Sequence, residues 1–129
     1  MENETKDLKE ELIARVWDKG LTYKGVNKDL YRKDAAGAWI YRPAYGDKTS
    51  MLGWEIDHVF PQSRGGGDDL ENLRPMHWRN NESKSDDYPH YKAVITSDGT
   101  KNISKIINCT VSESLQVILK KLYKIDEND

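Results

Sequence analysis

The sequence has very little cysteine and no long apolar run. Cys109 is the only cysteine among 129 residues, so an intramolecular disulfide and a zinc site made of four cysteines are both excluded. No apolar run approaches the ~20 residues that cross a bilayer, and the first residues, Met-Glu-Asn-Glu, are acidic rather than signal-like. We therefore expect a cytoplasmic protein without a membrane partner, or one exported by a route that the sequence does not show.

The charge balance also argues mildly against a protein that binds nucleic acid by charge alone. The formal net charge is −2, but residues 15–48 contain eight basic and four acidic residues together with six tryptophans and tyrosines. This mixture suits contact with phosphates and exposed bases. It suits equally well a solvated surface over an aromatic core, and the sequence leaves both interpretations open.

The hydrophobic pattern predicts an α+β protein with one domain, residues 1–129. An N-terminal helix, a central strand–strand–helix unit, and a C-terminal hairpin followed by a helix account for most of the chain. In chain order, the predicted elements are a helix (5–19), strands (38–42, 55–60 and 70–76), a helix (77–85), two hairpin strands (91–96 and 101–108), and a helix that follows a capping box from Thr110 to Glu113.

The central unit contains the residues with the most informative spacing. Asp57 and His58 are adjacent, Asn72 follows His58 after 14 positions, and Asn81 follows Asn72 after nine. The glycine run 65–67 lets the intervening segment fold back on itself. The parts of one hydrolytic site are therefore expected within a single supersecondary unit.

Asp57 and His58 together suit hydrolysis of a phosphodiester. A divalent ion held by a carboxylate stabilises charge on the phosphoryl and leaving oxygens, and a neutral imidazole activates water. Neighbours on a regular strand point to opposite faces, so we predict that the strand ends, twists or bulges at this pair. Asn81 offers an amide oxygen as a second ligand. Asn72 could hold the loop or fix the ring of His58 by a hydrogen bond.

This run resembles the HNH endonucleases with the ββα-metal fold, and its separations resemble those in the HNH domain of RNA-guided CRISPR nucleases. The matching positions are Ile56-Asp57-His58-Val59, Pro61, Ser63, Gly65-Gly66, Asp69, Asn72-Leu73, Asn81 and Lys84, within a core motif of residues 54–85. The resemblance implies that Asp57 and Asn81 bind the metal. It also implies that His58 is the general base and that Asn72 is the asparagine that supports the catalytic site.

The sequence departs from many members of that family around His77. His77 and Asn80 stand where a pair of zinc-binding cysteines would fall, so core packing must replace a zinc knuckle. By resemblance to nuclease colicins, His77 is either a third metal ligand or a polar residue at a helix start. Oxygen ligands alone favour Mg²⁺, with Mn²⁺ next, whereas an imidazole ligand would favour Zn²⁺ or Ni²⁺.

We therefore predict a metal-dependent endonuclease that acts on nucleic acid, with DNA favoured over RNA. Arg64, Arg79 and Lys84 are the candidate contacts to substrate phosphates. Two alternatives remain at this level: a non-catalytic nucleic-acid-binding module on the same scaffold, and a nuclease toxin held by an immunity protein.

Overall fold

The computed structural model describes the backbone of residues 2–126 and the side chains of residues 8–126. Within that range the α+β class predicted from the sequence is confirmed, because three helices accompany three antiparallel hairpins: β1 with β2, β3 with β4, and β5 with β6. The elements are α1 (Glu2–Trp17), β1 (Tyr31–Lys33), β2 (Trp39–Tyr41), β3 (Trp54–His58), β4 (Leu73–His77), α2 (Trp78–Lys84), β5 (His90–Asp98), β6 (Lys101–Thr110) and α3 (Glu113–Tyr123). None of the helices in these described residues is both long and apolar enough to cross a bilayer.

The β3–β4 hairpin separates two groups of buried apolar side chains. Because side chains alternate along a strand, Trp54 and Ile56 face one side while Glu55 and Asp57 face the other. The first side packs against α1, and the second faces β5 and α3. The buried residues of the first group are Val16, Trp17, Ile40, Trp54 and Leu73, and those of the second are Val59, Phe60, Met76, Tyr91, Val111 and Leu119.

Two strand ends differ from their predicted positions because the chain next to them forms hydrogen bonds with Asn72 or a 3-10 turn that ends at Asn72. β3 ends at His58 rather than at Phe60, since the amides of Val59 and Phe60 donate to the Asn72 carbonyl and side chain at 2.8 and 2.7 Å. β4 begins at Leu73 rather than at residue 70, because Leu70–Asn72 form a 3-10 turn. The end of β3 at His58 agrees with the separate prediction that the strand ends, twists or bulges at the Asp57-His58 pair, and the β3–β4 register runs regularly up to that residue.

One prediction of local structure was wrong, and one strand was missed. The capping box from Thr110 to Glu113 does not form, because Thr110 is the last residue of β6 and pairs with His90 of β5. Ser112 caps α3 instead, and its side chain accepts from the Leu115 amide at 3.3 Å. The strand β1 was not predicted at all, since residues 22–36 show no regular hydrophobic alternation.

The β1–β2 hairpin is joined to α2 through the buried carboxylate of Asp34. One oxygen accepts from the Ala36 and Ala38 amides at 3.0 and 2.9 Å, which closes the turn. The other accepts from the His77 amide and the Asn80 side chain, both at 3.0 Å. His77 and Asn80 are the two positions where the family resemblance would place zinc-binding cysteines. A hydrogen-bonded carboxylate therefore connects these elements, beyond the core packing that was expected.

Candidate functional site

One face of α2 lies directly over one face of β3. Glu55 and Asp57 are two residues apart and share a strand face, while Asn81 and Lys84 are three apart and share a helix face. The Asn81 amide nitrogen donates to Glu55 Oε1 at 3.1 Å, and Lys84 Nζ lies 3.3 Å from Asp57 Oδ1. The predicted ligands Asp57 and Asn81 thus lie on the same face of the hairpin, each in one of two neighbouring contacts: Asn81 with Glu55, and Lys84 with Asp57.

Asp57 is buried and is held by two cations. Arg74, its cross-strand neighbour in β4, donates from Nε to Oδ2 at 2.9 Å, and Lys84 pairs with Oδ1. Lys84 Nζ also donates to the His58 carbonyl at 3.1 Å, which links the helix to the end of β3. Burial lowers the pKa of Lys84, and the attraction to Asp57 offsets this only in part. For Arg74, burial alone would lower the pKa, but the attraction and hydrogen bonding of Asp57 and Tyr91 together outweigh it and raise the pKa.

His58 ends β3 with its ring partly exposed, and its Nε2 lies 2.7 Å from Asp68 Oδ1. A carboxylate oxygen can only accept, so Nε2 carries the proton in this contact, and the neutral ring keeps its lone pair on Nδ1. Sequence reasoning missed Asp68. Of the two neighbouring acids in this loop, Asp69 instead accepts from the Tyr123 hydroxyl at 2.8 Å.

Asn72 holds the loop and makes no contact with the ring of His58 among the described hydrogen bonds. Its side chain is fully buried, accepts from the Phe60 amide, and donates to the carbonyls of Phe60 and Gly67, both at 3.0 Å. Gly66 fits into the same turn only because it lacks a side chain, since a Cβ there would lie 1.8 Å from the Phe60 carbonyl oxygen. Of the two roles expected for Asn72, the geometry therefore favours loop support over orientation of His58.

The segment that carries this geometry also matches a known family. Residues 48–90, which contain β3, β4 and α2, match the family model described as HNH endonuclease. The HNH resemblance is confirmed. No curated protein matches the chain at a significant level. No solved structure does so either.

Within the HNH segment, His77 uses both ring nitrogens for internal hydrogen bonds. Nε2 lies 2.9 Å from the Met51 carbonyl, so it must donate, and Nδ1 accepts from the Arg79 amide at 3.1 Å and caps α2. This leaves neither nitrogen free for a metal ion in the described conformation. Of the two roles considered for His77, the geometry supports the polar residue at the helix start.

The stability of the HNH segment should depend on the neutral state of His77. Burial lowers the pKa of His77 below its ordinary value of 6.5. As the pH falls below 6.5, the unfolded chain takes up this proton before the folded chain does, so the free energy of unfolding decreases. In urea titrations at several pH values, we expect His77→Gln to reduce this decrease. The control is His90→Gln, the same change at an exposed position. Equal pH dependence in the wild type and His77→Gln would contradict the assignment.

The three candidate phosphate contacts differ in their surroundings. Arg79 is exposed, with its guanidinium 5.1 Å from the ring of Trp78. Arg64 is half-buried and donates to the Tyr88 carbonyl at 3.2 Å. Lys84 is fully buried and paired with Asp57, so it does not meet the requirement of surface access for a phosphate contact. Of these three, Arg79 is the one that projects to the surface.

Proposed function

We propose that the chain is a metal-dependent endonuclease that hydrolyses phosphodiester bonds of nucleic acid, with DNA as the favoured substrate. The observation that carries this proposal is the pairing of Asn81 and Lys84 on α2 with Glu55 and Asp57 on β3, within the segment that matches the HNH endonucleases. In this proposal β3, β4 and α2 form the ββα-metal unit.

The residues present fit a divalent ion bound by oxygen atoms. The side-chain nitrogen of Asn81 is fixed by Glu55, and its Oδ1 accepts no hydrogen bond from the part of the chain that the structure describes. Each oxygen of Asp57 carries one contact and retains a second lone pair. Asp57 and Asn81 would hold the ion. An ion bound by two protein oxygens, with water and substrate phosphate completing the shell, is typical of Mg²⁺.

Zinc and nickel lose their support in this proposal. They depended on an imidazole ligand from His77, whose two nitrogens are engaged by Met51 and Arg79. The described residues contain no group of three or more His, Cys, Asp and Glu side chains that could hold a metal ion, so any ion at Asp57 and Asn81 would rely on water and substrate phosphate for the rest of its shell. When bound, the ion would supply electrostatic stabilisation of the phosphoryl and leaving oxygens.

His58 would take the proton from the attacking water. Its Nδ1 lone pair is available because Asp68 holds the proton on Nε2. Asp57 and His58 alternate along β3 and face opposite sides of the hairpin. Both can reach one phosphodiester only around the end of the strand, where β3 stops at His58. We therefore infer that the scissile phosphate binds at this end. Exposed Arg79 lies at the other end of α2, beside the start of β3, and is a candidate contact to a phosphate farther along the substrate.

A plasmid-nicking assay across a panel of metal ions tests this function. We expect conversion of supercoiled to nicked and linear DNA with Mg²⁺ or Mn²⁺, little with Zn²⁺ or Ni²⁺, and none with EDTA, because the ligand set consists of oxygens. By the family resemblance, the nicks should carry 3′-hydroxyl and 5′-phosphate ends that a DNA ligase reseals. An RNA substrate, run in parallel, tests the preference for DNA.

Two outcomes would overturn parts of the proposal. DNA binding without cleavage in any metal would identify a non-catalytic module. Cleavage that requires Zn²⁺ would overturn the oxygen-only ligand set and return His77 to consideration.

A further inference from the structure

The β1–β2 hairpin has one buried face and a more open face, on which only Trp39 is buried. Arg32 and Ile40 are paired across the strands and are 6% and 0% exposed. Because side chains alternate, the other face of the hairpin carries two residues from each strand. These residues are Tyr31 and Lys33 from β1, and Trp39 and Tyr41 from β2.

Aromatic rings dominate this open face. Tyr31 and Tyr41 stack with ring centroids 5.1 Å apart and an interplanar angle of 29°. Tyr23, from the preceding loop, lies against Trp39 at 5.6 Å. Tyr23 and Tyr31 remain 44% and 38% exposed. We call Tyr23, Tyr31, Trp39 and Tyr41 the aromatic face. A groove of about 390 Å³ runs beside it, lined in part by Val26.

Positive charge accompanies these rings. Lys33 Nζ lies 4.4 Å from the centroid of Tyr23 and 4.8 Å from that of Trp39. Lys24 and Lys28 are exposed in the loop that leads to β1. Asp29 is the one acidic residue between positions 21 and 33. The segment that carries these rings, residues 21–33, is therefore locally cationic, although the whole chain carries a net charge of −2.

We propose that the aromatic face is a binding site for single-stranded nucleic acid, an inference that rests on the proposed nuclease function. Bases of any sequence can stack on exposed aromatic rings, while flanking lysines neutralise the phosphates. This combination distinguishes a single strand from a duplex, whose bases are already stacked. The sequence left open whether the aromatic residues of 15–48 form a core or a surface for bases, and both occur. Trp17 and Trp39 are buried in the core, whereas Tyr23 and Tyr31 are exposed.

The position of the aromatic face also favours a substrate strand as its occupant. The amide of Tyr41 donates to the carbonyl of Leu52 at 3.0 Å, so β2 lies beside the residues that lead into β3. The start of β3 is therefore next to the aromatic face, and its other end, about 13 Å away, carries His58. A single strand that is bound at the scissile phosphate and extends over this distance would reach the rings.

The test measures binding without cleavage. Fluorescence anisotropy with a labelled 16-nucleotide oligothymidine, in EDTA and in a His58→Ala background, separates this site from catalysis. We expect Tyr31→Ala and Tyr23→Ala each to weaken binding about 5- to 100-fold, because each removes one stacking ring. Tyr31→Phe keeps the ring and should bind within about twofold of the parent. Tyr23 lies outside the strands, so its variant still reports if Tyr31→Ala fails to fold.

A matched pair of lysine variants tests the charge. Lys24→Ala should reduce the salt dependence of binding, since it removes an exposed lysine directly after Tyr23 and with it one phosphate contact. Lys105→Ala removes an exposed lysine from β6 and should not change it. A 16-base-pair duplex should show a smaller loss from the tyrosine variants than the single strand does.

Three results would overturn this inference. Unchanged affinity of both tyrosine variants would do so, and so would an equal loss for single strand and duplex. Failure to bind oligothymidine, together with dimerisation that Tyr31→Ala abolishes, would assign the face to a second copy of the chain. Because cleavage by the wild type is measured separately, loss of the aromatic-face proposal leaves the nuclease proposal standing, and the reverse also holds.

Discussion

Replacing His58 with alanine should reduce the cleavage rate about 100- to 10,000-fold and leave the fold and metal binding unchanged. The loss is expected because His58 supplies general-base catalysis, whose usual contribution has this size. The fold should tolerate the change because the ring lies at the end of β3, is partly exposed, and has Asp68 as its described hydrogen-bond partner. Single-turnover nicking, urea unfolding and Mn²⁺ titration measure the three quantities. Retained cleavage by purified His58→Ala would remove the base assignment.

A neighbouring pair of acids provides a matched control for the orientation of His58. Asp68→Asn should slow cleavage about tenfold or more, because an amide can donate to Nε2 as well as accept from it and so no longer enforces the tautomer with the proton on Nε2. Its effect on stability should be small, since Asp68 is 77% exposed and exposed ion pairs contribute little. Asp69→Asn is the control, since it makes the same charge change in the same loop at a residue that contacts Tyr123 and not His58. Equal rates for the two variants would show that Asp68 does not orient the ring.

The strand–strand–helix core could be predicted from the sequence because its signals are local. Pro61 and the glycine run mark the loop after β3, and the spacing of Asp57, His58, Asn72 and Asn81 fixes the unit. The observed ends of β3, β4 and α2 differ from the predicted ends by one to three residues. The larger differences occur where Asn72 competes for the hydrogen bonds of the strand backbone. The Asn72 side chain accepts a hydrogen bond from the Phe60 amide, and the Asn72 carbonyl accepts one from the Val59 amide.

The remaining contacts depend on distant parts of the chain, which a spacing argument does not reach. β1 has three residues, and its hairpin depends on Asp34, whose other partners lie more than 40 positions away. The partner of His58 depends on the path of the loop, which Asn72 fixes by binding the Gly67 carbonyl. The partner of Asp57 was accessible in principle, because a hairpin aligned from Trp54 to His77 places Arg74 opposite it.

The buried ion pairs of Asp57 predict that Asp57→Ala will lower the free energy of unfolding by about 3–5 kcal/mol. Its removal leaves the cations of Arg74 and Lys84 buried without their common counter-charge. Removing one partner of a buried ion pair is strongly destabilising because the remaining charge is then uncompensated. That loss is a large share of the ~5–15 kcal/mol that stabilises an ordinary domain. From the sequence alone, Asp57 was only an expected metal ligand, a role whose loss would weaken metal binding without unfolding the protein. Asp57→Ala therefore cannot separate a lost ligand from a lost fold.

Asn81→Ala and Lys84→Met separate the two effects. Asn81 is half-buried with one side-chain hydrogen bond, so its loss should cost about 0.5–1.5 kcal/mol while weakening Mn²⁺ binding more than about tenfold. Lys84→Met fills the same buried space and leaves Asp57 paired with Arg74, so we expect a loss under about 2 kcal/mol.

Urea unfolding and isothermal titration with Mn²⁺ on all three variants give the comparison. The buried-charge argument requires Asp57→Ala to be the least stable, because it alone leaves two cations without a counter-charge. An unfolding midpoint of Asp57→Ala equal to that of Lys84→Met would contradict that argument. Unchanged Mn²⁺ affinity in Asn81→Ala would instead remove Asn81 from the ligand set. Since the first result concerns stability and the second concerns affinity, either half of the site can fail without the other.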